Sequence, residues 1–318
     1  MTTGTVNWKA APLLSEARAW ALGLALAIAA SGGYAGSLNY CQTVAELPVD
    51  AQDRMIQVAA VVKAELERSG QTAALVARSG LALQRFDQRY SHAGISLRSS
   101  ANTPWSVRQL YYACDEQRPR IFDQGMSGFV LGAHDPAEGY VSIIVLPDNA
   151  SRALEQVALD NHQALHLLGT QYSANAYAFG QRYQNCNQWV AELLAVAWGA
   201  LPFGDYPRNA AQSWLREHGY QPTVFHLGWR PLMWLTVLLP WLHSDDHPSD
   251  DLDAAQFRVS MPQSIGAFAR MHFPEASHVE VCYTPRHVVV RHGWEPIAPG
   301  CQPTAEDTVT LLENPQVF

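Results

Sequence analysis

Four short runs, Ala74 to Ala77, Tyr90 to Leu97, Trp105 to Tyr112 and Tyr140 to Leu146, carry strand character, and Gly, Pro, Asn and Ser separate them. Such runs punctuated by turn residues predict one mostly antiparallel sheet. Ahead of them, Met55, Val58, Ala59, Val62 and Leu66 recur at helical spacing up to Gly70, with Asp50 and Asp53 placed as a capping arrangement at the start. Behind them, a helix is expected over Ser151 to Leu168, stopped by Gly169. A second begins near Asn185 and runs to Trp198 before Gly199, and a short third covers Pro207 to His218. Further strands are expected around Phe257 to Ser260, His278 to Tyr283 and His287 to Arg291. The predicted fold class is α+β. The chain is 318 residues long, 48% hydrophobic and 16% charged, enough apolar material for a core of its own. No repeat or long linker marks a second independent domain.

Lys and Arg total 21 against 29 Asp and Glu, and the basic residues are scattered singly, so a nucleic-acid partner is not expected. Lys9 and Arg18 precede an apolar run from Ala19 to Ala30, followed by Ser31, Gly32, Gly33, Tyr34, Ala35 and Gly36. That order is the order of a secretory signal, which places residues 1–35 as a signal peptide, residues 36–318 as the mature domain, and the protein in the periplasm or outside the cell. Tyr40 before Cys41 is too bulky for a lipidation site. The stretch from Trp229 to Leu242 is too short for a span and holds Pro231 and Pro240. Trp229, Trp234 and Trp241 on it form a candidate peripheral membrane contact.

Five cysteines in an exported chain leave one unpaired. Cys41, Cys114, Cys282 and Cys301 fall in loops or at strand ends, whereas Cys186 opens a strongly helical run and is therefore the expected free thiol. Cys282 with Cys301 closes a short loop, which leaves Cys41 for Cys114. At a helix start the dipole favours a thiolate, so the Cys186 pKa is expected to be lowered. The matching base is His92, on a strand whose same-side neighbours Tyr90 and Gly94 leave room for a ligand or for the Cys-bearing helix.

The segments Ser91-His92-Ala93-Gly94-Ile95 and Asn185-Cys186-Asn187-Gln188-Trp189-Val190, with His ahead of Cys, resemble the circularly permuted NlpC-type papain-like proteins, a group that includes lecithin:retinol acyltransferases. Arg89 to Gly94, Trp105 to Tyr111 and Arg182 to Val190 are also similar to an uncharacterised exported bacterial family, domain of unknown function 2145, over nearly the whole mature chain. The resemblance implies a permuted papain-like fold with Cys186 as nucleophile, His92 as base and Gln109 as the residue that orients the imidazole. It places an oxyanion or substrate-binding site at the Cys186 N–H, with Tyr183 and Asn185 beside it. The implied chemistry is a thioester route to hydrolysis or acyl transfer on a cell-envelope amide or ester, either a lipid acyl group or a peptidoglycan-type peptide. Where the acyltransferases follow Asn-Cys with Glu-His, this chain has Asn187-Gln188. A catalytically silent envelope-binding protein of the same fold is the alternative.

No cofactor or metal is expected. His162 and His166 stand four apart on a helix, but Gln163 occupies the position where a metalloprotease has its general base, and they are read as solvated surface. Asp245, Asp246, Asp250, Asp251 and Asp253 lack the glycine and terminal glutamate of a calcium loop and are read as an exposed loop.

Overall fold

The computed structural model describes residues 47–133, 135–228, 239 and 241–312. All of them belong to the second of two units, Cys41–Phe318. The expected signal peptide, Cys41, Trp229 and Trp234 lie outside the described residues. Helix α1 (Val49–Arg68) leads into β1 (Ala73–Arg78), β2 (His92–Leu97), β3 (Ser106–Ala113) and β4 (Arg118–Gln124). After α2 (Met126–Leu131) and β5 (Gly139–Val145) come α3 (Asp148–Leu159), α4 (Asn161–His166), α5 (Cys186–Trp198) and α6 (Pro207–Glu217). The chain closes with β6 (Thr223–His226), α7 (Ser249–Asp253), β7 (Gln256–Val259), α8 (Pro262–His272), β8 (Ser277–Tyr283), β9 (His287–His292) and β10 (Thr308–Leu311).

Eight strands form one sheet in the order β10-β9-β8-β5-β1-β2-β3-β4, and every neighbouring pair is antiparallel. The mixed α+β class with an antiparallel sheet is therefore observed. On one face, Met55, Val58, Val62 and Leu66 of α1 and Phe129 of α2 pack on Val76, Val141, Ile143, Val281 and Val290. On the other, Val190 of α5 and Pro262 and Ile265 of α8 meet Leu75, Ala77, Ala93 and Ile144 around a small cavity. Because both faces are covered, β1 and β2 are buried at every position, which is why their sequences run apolar without a polar alternation.

Several elements depart from the sequence reading. The helix expected over Ser151 to Leu168 is two, because Asp160 takes an extended conformation and its carboxylate accepts from the His162 and Gln163 amides, restarting the chain as α4. Asp50 is no cap: α1 has no side-chain cap, and Asp50 pairs with Arg54 at 2.6 Å. Strand β4 went unforeseen because its three charges and Pro119 mask any alternation, as an edge strand tolerates.

Candidate functional site

Among the described residues Cys186 is the free cysteine, buried, and it opens α5 as expected. Cys282 and Cys301 are bonded, with Cα atoms 5.5 Å apart. Cys114 is also disulfide-bonded, and its expected partner Cys41 lies outside the described residues.

The first turn of α5 is fixed by a run of amide side chains. Asn185 is the N-cap, its Oδ1 accepting from the Gln188 amide at 2.7 Å while its Nδ2 donates to the Ala174 carbonyl. The Gln188 amide group donates in turn to the carbonyls of Tyr177, Ala178 and Gly180, holding the preceding loop. Asn187 reaches the sheet: its Oδ1 accepts from the Ala93 N–H at 3.0 Å, and its Nδ2 donates to the Ser91 carbonyl at 3.2 Å. The paired β2 and β3 register begins only at Ile95 with Arg108, so Asn187 serves backbone groups next to His92 that lie outside that ladder.

His92 is the first residue of β2 and the cross-strand partner of Arg78. Its Nε2 lies 2.7 Å from Gln109 Oε1. Gln109 spends its amide N–H on Gln124 Oε1 at 2.8 Å, which turns the Gln109 oxygen toward the imidazole. Nε2 is therefore the protonated nitrogen and Nδ1 the one left to accept a proton. Tyr111 stacks on the ring with centroids 4.8 Å apart. The room expected beside Gly94 is taken by β3. A Cβ on Gly94 would lie 3.0 Å from the Arg108 carbonyl oxygen and 3.2 Å from Gln109 Cβ, so the missing side chain lets the orienting strand approach.

Burial sets the protonation of both groups. It pushes the Cys186 thiol up to about 11, against the amides of Asn187, Cys186 and Ala93 and the charge of Arg78, which all act downward. The expected thiolate-favouring shift is thus overturned: the helix dipole is real, but desolvation of a fully enclosed sulfur outweighs it. Burial and Arg78 likewise lower His92 to about 3, with Gln109 opposing. At rest the thiol and the imidazole are both neutral.

Two expected neighbours serve other ends. Asn185 has both amide atoms committed to the cap and the loop. Tyr183 stacks on His243 at 4.2 Å, its hydroxyl 3.5 Å from Asp245, and its carbonyl accepts from Arg208; none of these contacts is to Cys186, His92 or Gln109. Trp241 is buried. Among the described residues no helix is long and apolar enough to cross a membrane. His162 and His166 flank Phe203, and His166 Nε2 bonds the Gly204 carbonyl. The acidic run is not simply exposed: Asp246 and Asp251 are enclosed, tying Tyr177 and the Gln256 and Arg258 side chains into this region.

Sequence reasoning passed over Arg78, Tyr111 and the clamp made by Asn187. Arg78 stands immediately after the apolar run Ala74 to Ala77, where a charge reads as the strand emerging into water. In the fold it is 5% exposed.

No curated protein and no solved structure matches this chain. The family model described as an uncharacterized protein conserved in bacteria (DUF2145) matches residues 65–269, a span that holds β1 to β5, the Asn185-Cys186-Asn187 helix start and most of α8. More than half of the chain lies within that match, and the chain belongs to the DUF2145 family.

Proposed function

We propose that this protein is an exported cysteine-nucleophile hydrolase or acyltransferase with a permuted papain-like arrangement, acting on an amide or ester of the cell envelope. The observation that carries the reading is the junction at Asn187: one side chain binds the backbone on both sides of His92 and belongs to the residue following the free Cys186. The His-bearing strand before the Cys-bearing helix, and that helix packed on an antiparallel sheet, support the same reading.

In the proposed cycle, His92 Nδ1 takes the thiol proton as the sulfur bonds to the carbonyl carbon, and Gln109 holds Nε2–H throughout. The backbone N–H of Cys186 faces the developing oxyanion. The imidazolium then protonates the leaving amine or alcohol as its bond to the carbonyl carbon breaks, leaving a thioester on Cys186. Water or an acceptor hydroxyl or amine gives its proton to His92 as it attacks the thioester, and the bond from carbon to sulfur breaks as the imidazolium returns that proton to Cys186. Starting from a neutral pair, the proton moves only with attack, so the enzyme is inert to weak electrophiles until a substrate is seated.

The test is intact-mass detection of an acyl adduct after incubation with p-nitrophenyl acyl esters and peptide p-nitroanilides. The wild type should gain one acyl group, Cys186→Ala none, and His92→Ala should acylate at least about 100-fold more slowly. A second reading, a silent envelope-binding protein, is favoured by the enclosure of both groups. Failure of every activated ester to acylate Cys186 selects it.

A further inference from the structure

Three arginines are buried in the described fold: Arg78, Arg108 and Arg208. Two are neutralised by carboxylates, Arg108 by Asp123 and Arg208 by Glu192. Among the described residues, Arg78 has no carboxylate partner. Its guanidinium has two hydrogen bonds, Nη1 to the Ser79 carbonyl at 3.2 Å and Nη2 to the Tyr111 hydroxyl at 3.0 Å, and it lies over the Phe129 ring at 5.5 Å. Its Nε–H is buried with no partner. Asp135, on the loop after α2, is exposed and turns Oδ1 to the Ala137 amide. A guanidinium stays charged at any accessible pH, so an unpaired one in the interior is a standing cost that an anion would remove.

Two glycines make room for the guanidinium itself: a Cβ on Gly132, at the end of α2, would fall 2.6 Å from Nη2, and a Cβ on Gly80 would fall 3.2 Å from Nη1. Arg78 is also joined to the site already described. It pairs across β1 and β2 with His92, and Tyr111, which accepts from it, stacks on the His92 ring. Tyr111 is half-buried. Neither Cys186, pushed up to about 11, nor neutral His92 supplies the negative charge.

We propose that Arg78 is the anion-binding element of the Cys186–His92 site, taking a substrate carboxylate on its unpartnered Nε–H. This rests on the acyl-transfer reading for the bond that is broken, and it selects carboxylate-bearing peptides over lipid acyl esters as the substrate class. A single buried positive charge, with no second unpaired cation beside it among the described residues, matches a monoanion better than a phosphate dianion.

The experiment follows the Arg78 side-chain Nε–H resonance of the full-length ¹⁵N-labelled protein, assigned by its loss in Arg78→Lys, during titration with N-acetylalanine, N-acetylalaninamide and inorganic phosphate. N-acetylalanine should shift it saturably, the neutral amide should leave it unmoved, and phosphate should bind at least about 10-fold more weakly. The same response is expected in Cys186→Ala, so the result is independent of whether the thiol performs chemistry. In Arg78→Lys, thermal stabilisation by N-acetylalanine should fall at least about 10-fold. Absence of a saturable shift, equal response to acid and amide, tighter binding of phosphate, or undiminished stabilisation in Arg78→Lys overturns the assignment. Should the Lys variant not fold, the resonance is assigned by triple-resonance spectra of the wild type, and the three titrations decide alone.

Discussion

Asn187 brackets His92, accepting from the amide of the residue after it and donating to the carbonyl of the residue before it. The helix that begins with Cys186 is thereby tied to the strand that begins with His92 by one amide side chain, in addition to the packing of the helix on the sheet. Asn187→Ala leaves a buried N–H and a carbonyl without partners. It should cost about 2–4 kcal/mol in denaturant unfolding, with Cys186 alkylation in the folded protein becoming faster as the helix start loosens. Unfolding within about 0.5 kcal/mol of the wild type would show that the two bonds to the His92 strand contribute little.

Alkylation of Cys186 by iodoacetamide should rise only above the pH at which an ordinary thiol reacts, because burial holds its pKa near about 11. A midpoint below pH 8.5 in folded protein would mean that the thiol is more open or better stabilised than the enclosed site allows.

Gln109 is fully enclosed and bonded at both ends, to His92 and to Gln124, rather than lining a solvent-filled cleft. Gln109→Ala strands the His92 Nε2–H and should destabilise by about 2–3 kcal/mol. It should also release the ring tautomer, visible as a change in the imidazole nitrogen shifts. Unfolding within about 0.5 kcal/mol of the wild type would contradict the paired geometry.

His92 gives stability a definite pH dependence. Its folded pKa of about 3 lies below the ordinary 6.5, so below pH 6.5 the unfolded chain binds a proton that the folded chain refuses. Its contribution is full above about pH 6.5 and is lost as pH falls toward about 3. Between pH 7.5 and 5, the wild type should lose about 2 kcal/mol more than His92→Gln, since each unit of pKa difference is about 1.4 kcal/mol. Parallel pH profiles for the two proteins would place His92 in contact with water.

The Cys282–Cys301 bridge secures more than the C-terminal loop. Between the two cysteines, Ile297 donates to Glu280, and its carbonyl accepts from Arg89, three residues ahead of His92. Cys282→Ser should lower stability by about 3 kcal/mol on loop-closure grounds. Hydrogen exchange at Tyr90 to Ala93 should rise with it; unchanged protection there would separate the bridge from the site.

How far the sequence reaches is clearest residue by residue. Cys186 was identifiable as the free thiol because helix periodicity from Trp189 onward and the Asn185 cap mark where the helix starts. The 282 to 301 pairing followed from a short loop between the two cysteines, and the main strands from their turn-bounded apolar runs. All of these are local, readable within about twenty residues. Gln109 is marked by resemblance alone, and in the fold its Oε1 lies 2.7 Å from His92 Nε2. Arg78 was invisible because a charge after an apolar run normally marks a strand leaving the core, and only the cover of α2 and the pairing with β2 turns it inward. The Cys186 pKa departs from the expectation for the same reason. A helix start is written in the sequence and fixes the direction of the dipole, whereas the enclosure that outweighs it comes from strands and helices far apart in the chain. Sequence alone determined the free thiol, the helix it opens and the strands that face it; the tertiary structure decided the protonation of Cys186 and His92 and the burial of Arg78, because desolvation depends on every element that closes over a group.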